Sequence, residues 1–295
     1  MNAYAAALAE TLKHQIIDAT TLLNSPVKDR LFIDVRLGEP EEEHENFLKA
    51  HIFGAVYGQI RDCFAAPSDA LSGNLPLPEP DALQKQVNNW QVGEETEIIV
   101  YGSSPALAAR AWWVLKWAGL QQVRILDGGL TAWMAAGGPM AQGEARPRPQ
   151  VSNPVKVTPG QMPDIDVHDV AKPDPGTILV DARDETSFLT GHIPGAINLP
   201  ADEFRTPSGT MRSPTEIRKL FGEAAIPTGS DVIVYCGGGV LSALVTLALA
   251  AIDARPRLFV GSWSEWLKHP DLAARSARHA QNRTRHNEKE IEVTK

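Results

Sequence analysis

One cysteine in this sequence stands where a nucleophile would be activated. In DVIVYCGGGVLSALVTLALAAI (231–252), Cys236 lies between an apolar run with strand character and a long apolar helix, and three consecutive glycines follow it. Glycine admits positive φ and leaves no side chain in the way, so successive amide N–H groups can turn inward as an anion-binding nest. The following helix adds the partial positive charge of its N-terminus. Such surroundings favour a thiolate or persulfide anion, the form in which cysteine attacks, whereas apolar burial alone works against it. The alternative is a small core residue. The glycines and the position at the carboxyl end of a strand, where open α/β sheets place their sites, favour chemistry. Cys63 has no such neighbours and is read as inert, and two cysteines make neither a disulfide framework nor a cysteine-rich zinc site.

The elements that must position Cys236 occur twice. LFIDVR (31–36), HIFGAV (51–56), IIVYG (98–102) and RILDGGLTAW (124–133) return as ILVDAR (178–183), HIPGAI (192–197), VIVYC (232–236) and RLFVGSWSEW (257–266). Four matched segments in one order, at offsets falling from 147 to 133, mark a duplicated domain. Short apolar runs alternating with helical segments imply, in each half, a mostly parallel sheet flanked by helices, so the fold class is α/β. Ser213-Pro214-Thr215-Glu216 opens a helix with a capping box, and Ser104-Pro105 opens another that ends near Gly119. The first domain covers 1–149 and ends in a linker, 137–154, with three Gly and four Pro, expected to be exposed, the boundary falling near Gln150. The second, 150–270, holds Cys236, and 271–295 is a charged tail read as a surface helix or loose end.

Duplication also sorts the remaining candidates. Gly102, in VYGSSPALAARAWW (100–113), takes the place of Cys236, and Pro105 removes one amide donor from the matching loop. The first half is therefore chemically silent, and buttresses the site or forms one wall of a cleft between domains. His192 and Asp181 have counterparts in that silent half, His51 and Asp34, which favours structural roles for all four. Arg183 keeps two readings: a fork for an anionic donor, or an ion pair with Asp181 or Glu185, since Arg36 echoes it. Trp112, Trp113 and Trp117 are spaced as core or domain-interface residues, and the five Glu from Glu39 to Glu45 as a solvated face.

Composition narrows the partners. A net charge of -8 argues against a nucleic-acid binder. The longest apolar run, Ala243 to Ile252 broken by Thr246, is too short to span a membrane. The Ala-rich stretch from Ala3 to Ala9 lacks the layout of a secretory signal, so the expected location is cytoplasmic.

FLTGHIPGAINL (188–199), FVGSWSEW (259–266, with Val260 in place of an Asp) and the Cys236 loop together resemble the tandem-domain rhodanese family of thiosulfate and 3-mercaptopyruvate sulfurtransferases. The resemblance spans roughly residues 17 to 267. It implies two rhodanese-like domains and a ping-pong transfer of sulfur. Cys236 takes the outer sulfur of a small anionic donor, thiosulfate or 3-mercaptopyruvate, as a persulfide and passes it to a thiol, cyanide or protein acceptor. The amides of Gly237, Gly238, Gly239, Val240 and Leu241 would hold the charged sulfur, and no metal or organic cofactor is required. Two departures leave the donor open. Gly237 and Gly238 stand where thiosulfate-preferring members carry cations, and Leu241 stands where the mercaptopyruvate type has Thr. Ser242 follows one position later, a rotation of about 100° on a helix, and is not a simple replacement. DETSFLTG (184–191) also lacks the Arg-containing insertion of the mercaptopyruvate enzymes.

Three alternatives accompany this reading. A related phosphatase would need a longer loop closed by Arg, yet Ser242 holds the sixth position after Cys236 and no Arg follows before Arg255. A non-enzymatic regulatory module fits the thiol-less half but not the intact Cys-Gly-Gly-Gly loop. A persulfide relay to a protein acceptor fits the missing Thr and loop cations.

Overall fold

The apolar runs become strands of two parallel sheets, as segments buried on both faces must. The computed structural model describes residues 14–25, 27 and 29–279; the Ala-rich start and the end of the charged tail lie outside these residues. In chain order the strands are β1 (Ile16–Ile17), β2 (Arg30–Arg36), β3 (His51–Ile52), β4 (Ala55–Gln59), β5 (Glu97–Gly102), β6 (Val123–Leu126), β7 (Met140–Ala141), β8 (Ile178–Asp181), β9 (Ile197–Asn198), β10 (Asp231–Tyr235) and β11 (Arg255–Leu258). One sheet has the order β1-β6-β5-β2-β4 and the other β11-β10-β8-β9, and every neighbouring pair in both is parallel. β3 and β7 form a short antiparallel ribbon. Setting β1 aside, β6-β5-β2-β4 and β11-β10-β8-β9 are one topology, carried by the repeated segments. An isolated parallel bridge between Asp164 and Leu258 stands where β1 pairs with β6 in the first half.

The repeat extends to buried polar groups. Tyr101 and Tyr235 lie across from Asp34 and Asp181, and their hydroxyls accept from the amides of Ile52 (3.1 Å) and Ile193 (3.0 Å). His51 and His192 each place Nδ1 2.9 Å from a carbonyl four residues back, Phe47 and Phe188, and stack on those same rings. Carbonyl oxygens only accept, so both rings carry the proton on Nδ1. The same geometry with and without a thiol makes both histidines framework residues.

Between the sheets, the helices Pro105–Trp117 and Leu241–Leu249 pack against each other. Residues Ala106 to Trp117 are all buried, as are Ser242 to Leu249, which is why both helices are apolar nearly all round. Trp112 and Trp113 are fully enclosed, and one apolar cluster runs through both halves. At other helix starts the sequence signals hold: Ser213 forms its capping box at the head of Pro214–Glu223, and the Glu-rich segment is the exposed first turn of Pro40–Lys49.

The linker follows a course that composition does not show. Arg148 binds Asp29 and the Arg30 carbonyl, and the amides of Val155, Thr158 and Gln161 donate to Val92, Ala118 and Trp117 of the first half. Pairing with the second half begins at Pro163 and Ile165, which bond the backbone of Leu258. The chain thus changes partner after Gln161, later than Gln150, because an extended segment must satisfy its amides and the first half supplies the carbonyls. Residues 270–279 are helical and tied down by Trp266, whose indole N–H donates to Ser276.

Candidate functional site

Cys236 directly follows β10, the second strand of its sheet, and the chain turns through Gly237–Val240 before the Leu241–Leu249 helix. The residue is 2% exposed, and both cysteines are free. The Gly239 amide donates to Sγ at 3.1 Å and the Ser242 hydroxyl at 3.4 Å. Gly239 is held at φ +82°, and a Cβ there would sit 2.5 Å from the Val260 carbonyl oxygen. No other residue meets both demands. Gly237 and Gly238 are only partly buried and their Cβ positions meet nothing closer than 3.7 Å. Val240 and Leu241 start the helix behind them. Of the five amides expected around the sulfur, that of Gly239 reaches the thiol in this structure. In the first half its place is taken by Pro105, which has no N–H to give.

A second loop anchors the first. The segment after β11 docks on the cysteine turn: Trp263 and Ser264 amides donate to the carbonyls of Cys236 (2.9 Å) and Gly237 (3.0 Å). Between them Ser262, fully buried, accepts from the Cys236 amide at 3.2 Å and donates to the Phe259 carbonyl at 2.9 Å. Its single hydrogen is spent on Phe259, so its 4.0 Å approach to Sγ is contact, not donation. Ser262 holds φ +57°, a left-handed conformation for which its counterpart Gly129 (φ +54°) is the natural residue.

The cover over this site comes from the other half. Gly73 lies so close to Gly261 that a Cβ would be 2.4 Å from its carbonyl oxygen, the Asn74 amide donates to Ser264 Oγ at 2.9 Å, and Lys268 reaches the Asp69 carbonyl at 2.7 Å. The reverse also holds: the Met211 amide donates to Asp127 at 2.8 Å, and Thr210 lies over Gly128 in the loop that matches the Ser262 loop. Each half covers the other's strand ends. SGNL (72–75) and SGTM (208–211), at an offset of 136, are the sequence echo that marks these covers and that the four-segment comparison omits.

Arg183 is placed by Asp181. Nε lies 3.0 and 3.1 Å from the two carboxylate oxygens, Nη2 donates to Asp181 and to the Gly191 carbonyl (2.6 Å), and the guanidinium stacks over Trp263 at 5.0 Å. Arg36 makes the same fork to Asp34 in the half without a thiol. Of the two readings, the ion pair is the geometry observed: Nε and Nη2 are spent on Asp181 and the Gly191 carbonyl. Cys63 sits at the end of a helical turn, its thiol pushed up to about 12 by burial and the neighbouring Asp62. Three residues escape a reading of spacing alone. Ser242 reaches the sulfur because the loop curls back over it, so its rotation relative to Leu241 does not exclude it. Ser262 is revealed by its unusual φ. Arg110 sits unannounced in an apolar helix.

The sequence profile of the rhodanese-like domain matches residues 4–136 and 167–269. The chain belongs to the rhodanese-like family. SseB of Mycobacterium tuberculosis (strain H37Rv), named "Putative thiosulfate sulfurtransferase", is 36% identical over 249 residues, 80% of this chain and 86% of that one. The 3-mercaptopyruvate sulfurtransferase of Escherichia coli K12 is 32% identical over 265 residues, 81% of this chain and 90% of that one. The crystal structure of SseA from Escherichia coli, of the 3-mercaptopyruvate sulfotransferases, superposes with a TM-score of 0.73 at 29% identity over 85% of this chain and 99% of that one. This rhodanese-like chain is a sulfurtransferase. Among its described residues no helix is long and apolar enough to cross a membrane.

Proposed function

We propose that this protein carries sulfur as a persulfide on Cys236, taking it from a small anionic donor and giving it to a thiophilic acceptor. The observation behind the reading is the pair of donors on the Cys236 sulfur, the Gly239 amide and the Ser242 hydroxyl, in one half and not in the other. In the first step the Cys236 thiolate attacks the outer sulfur of the donor. A new S–S bond forms, and the donor's bond to that sulfur breaks with its electron pair. Thiosulfate leaves as sulfite; 3-mercaptopyruvate leaves as an enolate that protonates to pyruvate. In the second step the acceptor attacks the outer sulfur and the thiolate is released. The terminal sulfur of the persulfide projects beyond Sγ toward the amides of Gly237, Gly238, Val240 and Leu241, where it is held as an oxyanion is held. Burial of the thiol beneath the first-half cover favours a small donor over a protein persulfide.

The test is intact mass after separate incubation with thiosulfate and with 3-mercaptopyruvate. One added sulfur is expected with at least one donor, and none in Cys236→Ser. Equal gain in Cys236→Ser would remove the assignment. Gain only from a protein persulfide would replace the small donor by a relay.

A further inference from the structure

Arg110 lies in the middle of the Pro105–Trp117 helix, in the half that has no thiol, and is 0% exposed. Long cations are almost never enclosed completely unless paired. Among the described residues no carboxylate pairs with it: its hydrogen bonds run from Nη2 to the carbonyls of Phe64 (3.1 Å), Leu75 (2.9 Å) and Pro76 (3.4 Å), and from Nη1 to that of Gly239 (3.5 Å). Its Nε–H is buried with no acceptor.

These partners are not arbitrary. Phe64, Leu75 and Pro76 are the two roots of the segment that covers the site, and Gly239 is the residue whose amide holds the Cys236 sulfur. The guanidinium stands directly behind that residue, with Nη1 3.0 Å from where a Cβ on Gly239 would lie. The other charges on the surrounding elements are committed or peripheral. Arg183 and Asp181 pair with each other, Asp69 and Lys268 meet at the rim of the cover, and Glu265 sits under Gly261 and Gly73. Tyr235 turns its hydroxyl to Ile193, and Ser242 and Ser262 face the sulfur as neutral groups.

We propose that Arg110 is the counter-charge of the Cys236 anion, a positioning residue supplied across the domain interface that both favours the charged sulfur and clamps the cysteine loop to its cover. Burial lowers the Arg110 pKa to about 10 while the Cys236 charge raises it, so the guanidinium stays charged at neutral pH. The inference deepens the persulfide reading and rests on Cys236 being the reactive thiol. Sulfur loading tests that reading separately.

The experiment is the pH profile of Cys236 alkylation by iodoacetamide, read by peptide mass in the full chain. Arg110→Met is expected to move the half-maximal pH up by about one unit or more, a roughly tenfold loss of reactive sulfur at pH 7, while Arg110→Lys stays nearer the parent. A folded Arg110→Met with the parent's profile would overturn the proposal. Should Arg110→Met not fold, the parent protein decides. With labelled arginine, the Arg110 Nε–H resonance is expected to follow the Cys236 alkylation midpoint and to lose that titration in Cys236→Ser. A resonance that ignores pH in both, or titrates equally in both, refutes the pairing.

Discussion

Ser262 offers a test in which stability and activity separate. Its backbone is left-handed at φ +57°, and its hydroxyl makes two buried hydrogen bonds, one of them to the Cys236 amide. A non-glycine residue in that region costs about 1 kcal/mol relative to glycine, and each buried hydrogen bond contributes about 1 kcal/mol. Ser262→Ala keeps the strain and loses both bonds, so it is expected to lose about 2 kcal/mol. Ser262→Gly loses the same bonds and relieves the strain, a net loss of about 1 kcal/mol. Glycine should therefore be the more stable replacement by about 1 kcal/mol, the reverse of its usual deficit against alanine, or about 2–4 °C in melting temperature. Both variants remove the hydroxyl that fixes the Cys236 amide, so both should lose sulfur transfer to a similar degree. Thermal melts paired with initial rates on each donor decide the matter. If alanine is as stable as glycine, the strain is not real. If Ser262→Gly turns over like the parent, the hydroxyl does not align the cysteine.

The remaining outcomes follow from local geometry. Gly239→Ala forces a Cβ to 2.5 Å from the Val260 carbonyl at φ +82°, and should abolish persulfide formation by intact mass, with melting lowered by several degrees. On Gly238, which lies outside the left-handed region, a Cβ meets only Asn74 Cβ at an ordinary contact distance of 3.7 Å, so Gly238→Lys should melt within about 2 °C of the parent and raise kcat/KM for thiosulfate over 3-mercaptopyruvate; an unchanged ratio would show that the loop does not read the donor's charge. Cys63, with its thiol pushed up to about 12, stays protonated through pH 9. Iodoacetamide at pH 8 should therefore label Cys236 alone, and a second adduct before unfolding would contradict its placement. His192→Gln and His51→Gln should both lower stability and leave the pH dependence of turnover unchanged, as residues that share the Nδ1 bond and the Phe stack in both halves.

What could be read without coordinates was whatever local pattern dictates. The apolar runs, the fourfold echo and the Cys-Gly-Gly-Gly turn depend on residues adjacent in sequence, and the parallel strands and the position of Cys236 followed, whereas the order of strands across each sheet did not. Contacts between distant segments were not legible. Spacing alone leaves Arg183 between an anionic donor and an ion pair, which the Asp181 fork distinguishes only in three dimensions, and a helical wheel turns Ser242 away from Leu241 because it ignores how a loop curls. Arg110 is one charge in an apolar helix, and nothing local says that a second domain closes over it. The course of the linker was hidden for the same reason: composition marks Pro and Gly, but not which half supplies the carbonyls for Val155 to Gln161.

The two covers, Gly73–Asn74 over the second half and Thr210–Met211 over the first, have the reciprocity of an isologous dimer written into one polypeptide. In two separate chains such a shield would be present only as often as the subunits met. Joined by a linker, the encounter is intramolecular and its effective concentration is set by the chain. Dilution therefore cannot uncover Cys236. The silent half, free of any need to react, can be selected wholly for how well it closes the other.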